Sequence, residues 1–153
     1  MGGFYNMKGK NIMREGICTA VGIVGGFICS LFGGWDTALA TLLMFMAIDY
    51  ASGLVVAGVF HKSNKSDTGA LESRAGWKGL CRKCMTLLFV LIAHRLDLAL
   101  NINYIRDAVI LGFMTNELIS IVENAGLMGI PLPPVITKAI DVLTKKAESS
   151  NQF

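Results

Sequence analysis

Asp49 stands at the middle of residues 37–60 (TALATLLMFMAIDYASGLVVAGVF), where it is the one charge in 24 positions. An ionised carboxylate at the centre of an apolar helix in lipid costs about 2.5–3.5 kcal/mol on insertion scales, so such a group is expected to be protonated, paired or beside water. Arg95 and Glu117 pose the same problem in residues 84–105 and 108–122. The simplest solution has Arg95 facing Glu117 or Asp49, within a helical bundle or across a subunit interface. Such a pair serves a water path or a gated assembly contact, or it does no more than fix helix register. Asn116, Ser120, Glu123 and Asn124 follow close to i, i+4 spacing and are expected on one face. That face is either the wet side of a pore or a seam of interhelical hydrogen bonds.

Small residues suggest where helices touch. Cys18, Gly22, Gly26 and Ser30 are each four apart, as are Asp49, Gly53 and Ala57. Such stripes let two backbones approach closely, within one chain or between chains. Other chemistry finds little support. Cys81 and Cys84 make a C-x-x-C, but a zinc site needs two more ligands, and the βαβ pattern expected around a redox pair is absent. His94 and Asp97 can share a hydrogen bond, with no nucleophile beside them. There is no phosphate loop and no H-E-x-x-H. No catalytic residue, metal ligand or cofactor is therefore assigned, and an enzyme is not expected.

The elements that must position these residues follow from composition. The chain has 153 residues, enough for one domain, residues 1–153. It is 53% hydrophobic before its 17 glycines are counted and only 16% charged. Soluble domains reach about 45–50% apolar with glycine included and carry about 25% charge. A chain this short cannot hide that much apolar surface within itself, so lipid must cover some of it. The net charge of +3 is too mild to suggest nucleic acid. Residues 16–35 hold no charge and, like 37–60, are long enough to cross a bilayer core. Residues 84–105 and 108–122 cross as well if their polar positions face protein or water; otherwise they are half-spans or interfacial helices beside two firm spans. Basic residues number 3, 0, 6, 1 and 3 in successive non-spanning segments. The positive-inside rule then puts both termini and the basic loop 61–83 in the cytoplasm. Arg74, Lys78, Arg82 and Lys83 of that loop are expected at the membrane surface. The first helix is expected to remain uncleaved. After Pro131, Pro133 and Pro134, residues 133–147 repeat apolar positions at Ile136, Ala139, Ile140 and Leu143. This is the pattern of an amphipathic helix lying on the inner leaflet or packed on the 61–83 loop. The expectation is an all-α, multi-pass integral membrane protein with four transmembrane helices.

Three motifs carry a resemblance: DYASG at 49–53, SRAGWKGLCRK at 73–83, and NELISIVEN at 116–124 running on to GIPLP at 129–133. Together they resemble the toxin-secretion/phage-lysis holin family, small membrane proteins of phages and prophage-derived loci of Gram-positive bacteria. The resemblance covers about residues 36–134 and matches the first helix only in character. It implies a protein of the bacterial cytoplasmic membrane that accumulates, forms homo-oligomers, and opens a lesion through which a cell-wall endolysin or a large toxin leaves. It implies no catalytic residue. Asp49, Glu117, Glu123 and Asn124 belong to the matched motifs; Arg95 does not. The competing expectations are an antiholin or membrane anchor acting through the 61–83 loop, and a small ion channel through Asp49 and Glu117.

Overall fold

A computed structural model describes residues 2–63, 72–136, 138, 139, 142 and 145, with side chains from residue 14 onward. The chain divides into two units, Met1–Trp35 and Asp36–Phe153.

The first unit is one helix, α1 (Gly2–Leu31). Within it, Arg14–Leu31 is apolar and long enough to cross a membrane. Ile17, Val21 and Phe27 are exposed, as are Gly22, Gly26 and Ser30 of the small-residue stripe. The helix stops four residues before the expected 35. Gly33 and Gly34 take positive φ (87° and 100°), and the Gly34 amide donates back to the Cys29 carbonyl at 2.9 Å. Glycine adopts this left-handed reversal without a Cβ clash, which makes it a common helix stop.

The second unit is a three-helix bundle. Helix α2 (Thr37–Val55) continues as a π-helical turn, Val56–Phe60, so the expected span 37–60 is one continuous apolar segment. His61 ends it at φ 50°. Helix α3 (Ser73–Leu100) starts ten or so residues before the expected 84, because the second half of the basic loop is helical. Helix α4 (Ile105–Leu127) extends past both ends of the expected 108–122. Helices α2 and α3 each bury a stripe at alternating three- and four-residue steps. On α2 the stripe is Leu39, Leu42, Met46, Asp49 and Val56; on α3 it is Thr86, Val90, Ala93 and Asp97. This is the spacing of helices packed at a shallow angle.

The contacts set direction and register. Asp36 meets Arg106 and Gly53 lies against Asn124, so α2 and α4 run in parallel. Asp97 accepts from the backbone of residues 105 and 106, and Phe89 stacks on Phe113 with ring centroids 6.1 Å apart. Helix α3 is therefore antiparallel to both. Asn101, in the left-handed region at φ 54°, turns α3 into α4.

Six of the fourteen buried residues among those described are polar or charged: Asp49, Thr86, Asp97, Arg106, Thr115 and Asn124. Large apolar side chains such as Met44, Val59, Leu88, Ile92 and Leu96 lie on the outside. A water-soluble domain distributes them the other way. Two helical stretches, Arg14–Leu31 and Thr37–Phe60, are long and apolar enough to span a bilayer on their own composition. Residues 134–136, 138, 139, 142 and 145 are helical. Pro133 precedes the helical residues, and the remainder of the expected amphipathic helix 133–147, including Ile140 and Leu143, lies outside the described residues.

Candidate functional site: a charged cluster inside the bundle

Half-way along the bundle, one side chain from each helix meets in an ion cluster. Lys83 Nζ of α3 donates to Asp49 Oδ2 of α2 at 2.8 Å and to Glu117 Oε2 of α4 at 2.5 Å. All three side chains are nearly buried, at 9–13% exposure. Asn124, one α4 stripe position below Ser120, completes the set. Its amide nitrogen lies 3.1 Å from Asp49 Oδ1, 3.3 Å from the Asp49 carbonyl and 2.9 Å from Ser52 Oγ. The Ser52 hydroxyl in turn donates to the Asp49 carbonyl at 3.0 Å. Asp49 thus has each carboxylate oxygen engaged, one by a cation and one by an amide, which is how a carboxylate stays inside an apolar bundle. With all groups ionised, two carboxylates surround one ammonium.

Glycines make room for this. Tyr50 lies against α3 where Gly76 and Gly79 have no side chain: a Cβ on Gly76 would sit 3.6 Å from the Tyr50 hydroxyl, and one on Gly79 3.8 Å from its ring. Beside the cluster is a cavity of about 210 Å³. Asp49, Lys83 and Glu117 line its inner part, and Ser63 and Glu72 line it at the end where α2 and α3 are joined. Its lining is more apolar than polar, with the charged cluster supplying polar groups, and it is large enough for several waters.

The three motifs quoted from the sequence converge here. DYASG supplies Asp49, Tyr50, Ser52 and Gly53; SRAGWKGLCRK supplies Gly76, Gly79 and Lys83; NELISIVEN supplies Glu117 and Asn124.

Other expected residues lie elsewhere. Arg95 does not meet Asp49 or Glu117 within the chain: it is exposed on α3. Phe89 and Phe113 are level, and six residues further Arg95 is level with Asp107 in the first turn of α4. Arg95 therefore lies at the rim of the bundle, and its charge needs no partner in the interior. The cation in the interior is Lys83, which the sequence placed with the surface set. The rest of that set, Arg74, Lys78 and Arg82, is exposed. The expected polar stripe on α4 also divides. Ser120 is half-buried and Asn124 buried, whereas Asn116 and Glu123 are exposed. At 100° per residue, Asn116 and Glu123 share a second face with each other.

A second polar cluster closes the far end of the bundle. Asp36 caps α2, its Oδ1 accepting from the Leu39 amide at 2.8 Å, while its Oδ2 accepts from Arg106 Nη1 at 2.7 Å. Asp97, rather than bonding His94, accepts from the Ile105 and Arg106 amides at 2.9 Å each. The Arg106 guanidinium bonded to Asp36 holds that carboxyl below its usual range, helped by the Leu39 and Ala38 amides and opposed by partial burial. Cys81 and Cys84 are free and exposed. Among the described residues no three metal-ligating side chains gather.

Residues 26–145 match the model of the bacteriophage holin family. A probable holin of Bacillus phage phi105 is 30% identical over 119 residues, covering 74% of this chain and 82% of that protein. An uncharacterised protein of Listeria innocua is 39% identical over 137 residues, 89% of each chain. One of Halalkalibacterium halodurans is 38% identical over 127 residues, 79% of this chain and 88% of its own. No solved structure matches. With a match over most of its length, this chain belongs to the bacteriophage holin family.

Proposed function

We propose that the protein acts as a holin: it accumulates in the bacterial cytoplasmic membrane, associates with copies of itself, and opens a lesion through which a cell-wall endolysin, or a large toxin, leaves the cytoplasm. The observation that carries this reading is the placement of the family-like motifs. Asp49, Lys83 and Glu117 of these motifs are gathered half-way along three helices that carry many large apolar side chains on the outside. A bundle with ions inside and hydrocarbon outside suits lipid as its solvent.

On this reading α3 and α4 cross the bilayer together with α1 and α2, and both termini and the connection that precedes α3 are cytoplasmic. At about 1.5 Å per residue, the 28 residues of α3 and 23 of α4 reach 42 Å and 35 Å, beyond a hydrocarbon core of about 30 Å. Neither helix is apolar enough by composition, but their polar stripes face one another. Asp49, Lys83 and Glu117 then lie near mid-membrane, Arg82 is level with them on the outer face of α3, and Arg74, about 14 Å further along the helix, approaches the anionic inner leaflet. No residue is assigned a catalytic role and no cofactor is required.

The cavity beside the cluster favours a second reading, a narrow ion path. Co-expression with a cell-wall hydrolase that has no export signal separates the two. Loss of culture turbidity only when both proteins are present supports a lesion that passes protein. Arrested growth without lysis supports the narrow path. Continued growth at full membrane expression supports neither, and makes the chain an antiholin or an anchor.

A further inference from the structure

Two exposed polar stripes remain on the outside of the bundle. On α4 they are Asn116 and Glu123, seven residues apart on one face, with Gly112 and Gly126 at the same register. No other side chain approaches within 4 Å of a Cβ built on either glycine. On α3 they are Arg74 and Lys78. Among the described residues none of these four side chains has a hydrogen-bond or ion-pair partner.

The register fixes their relative depth. Phe89 and Phe113 are level and the helices are antiparallel, so ten residues along each brings Glu123 level with Gly79. Lys78 is one residue away, within about 1.5 Å along the axis. Arg74 lies about 6 Å further toward the α2–α3 loop. Glu123 itself is about 10 Å from the middle of α4, inside the half-thickness of a hydrocarbon core. An unpartnered carboxylate at that depth is costly. Pairing of the α4 stripes of two copies would place Glu123 against Glu123, which is repulsive. Pairing α4 of one copy with α3 of the next places Glu123 against Lys78 at equal depth.

We propose that copies of this chain associate head to tail through these two faces, with Glu123 on the α4 face of one copy against Lys78 on the α3 face of its neighbour. This rests on the reading that α3 and α4 span the membrane and that the chain self-assembles. A contact between two different faces leaves one of each free on every dimer, so it propagates into rings or arcs of many copies. An enlarging lesion needs that property, and a two-fold contact lacks it.

The test uses the full chain in bacterial membranes, with Cys18, Cys29 and Cys84 replaced by Ser. One tagged form keeps Cys81, one turn from Lys78. A second, differently tagged form carries Cys81→Ser and Ile119→Cys, one turn from Glu123. Membranes from cells making both are treated with a short bis-maleimide. The expected product is a band of twice the chain mass carrying both tags, with neither form cross-linking to itself. Glu123→Lys in the second form is expected to abolish the band, and Lys78→Glu in the first form to restore it. Both reversed positions, Lys78 and Glu123, are exposed, so folding is not at stake, and membrane levels are read from the tags. Self-cross-linking of the Ile119→Cys form, no mixed band, or a mixed band indifferent to both charge reversals overturns the proposal. Depolarisation by the parent chain without a mixed band leaves the holin reading standing and removes this interface. A mixed band in cells that keep their potential does the reverse.

Discussion

Two polar clusters lie inside the bundle, about 20 Å apart along α2, and they bury charge by different means. At the far end, Asp36 and Asp97 each satisfy backbone amides at a helix start, and Arg106 bridges to Asp36 at 2.7 Å. Those amides have no partner within their helix, so the cluster answers a need created by the helices themselves. Asp36 is also 45% exposed, and water shares the cost. At mid-bundle the helices need nothing. Asp49, Lys83 and Glu117 project from continuous helices as charges that other side chains must satisfy. A leucine at each position would pack more simply, since buried ion clusters seldom outperform apolar side chains of similar volume. The end cluster is explained by folding. The middle one is costly for folding, and it lies beside a partly open cavity. Function is the better account of it.

Four substitutions sharpen that contrast, in falling order of expected effect. Lys83→Met leaves Asp49 and Glu117 without their cation. It should destabilise the bundle by about 3–5 kcal/mol, read as a lower midpoint of heat-induced precipitation in detergent. Adding Glu117→Gln should recover much of that loss; if the double variant is no better, the cluster is not a coupled unit. Asn124→Ala strips Asp49 and Ser52 of their shared donor and should cost about 2 kcal/mol in the same assay. Asp97→Ala uncaps α4 and should cost about 1 kcal/mol. It should leave hydrogen exchange near Asp49 unchanged while raising it in the first turn of α4.

The smallest effect belongs to Asp36→Asn. Because Arg106 lowers the Asp36 pKa, the ionised pair stabilises the fold above the unfolded carboxyl pKa of about 3.9 and that contribution fades as pH falls through the lower folded value. Exposure screens it, so the expected gain is under about 1 kcal/mol. Wild type and variant should therefore differ slightly at pH 7 and converge as acidification protonates Asp36. A difference that grows on acidification contradicts the assignment.

The sequence carried the helical architecture further than it carried the site. An apolar run broken by one charge matched α2 together with its π-helical continuation, Thr37–Phe60. The start of α3 was hidden because its first ten residues are polar and glycine-rich, a composition that reads as loop until Tyr50 is seen packing on Gly76 and Gly79. Asp49 and Glu117 were legible because carboxylates in apolar runs are rare. Their partner was misassigned through depth. Arg95 looked central when its span was placed at 84–105, but with α3 shifted to Ser73–Leu100 it moves to the rim and Lys83 moves inward. One signal was available: stepping back from Ala93 and Val90 by alternating threes and fours passes Thr86, Lys83, Gly79 and Gly76, and misses Arg95. The division of the α4 stripe followed the same rule, since Asn124 and Glu117 are seven apart, and so are Asn116 and Glu123, on different faces.

The central claim is that these helices make a membrane protein whose assembly breaches the membrane to large cargo. The most direct measurement is inducible expression in a bacterium, following membrane potential in single cells together with release of a large cytoplasmic enzyme. The account predicts a silent period of accumulation, then abrupt depolarisation coincident with enzyme release. Gradual depolarisation with the enzyme retained, or an unchanged potential at full membrane expression, would contradict it.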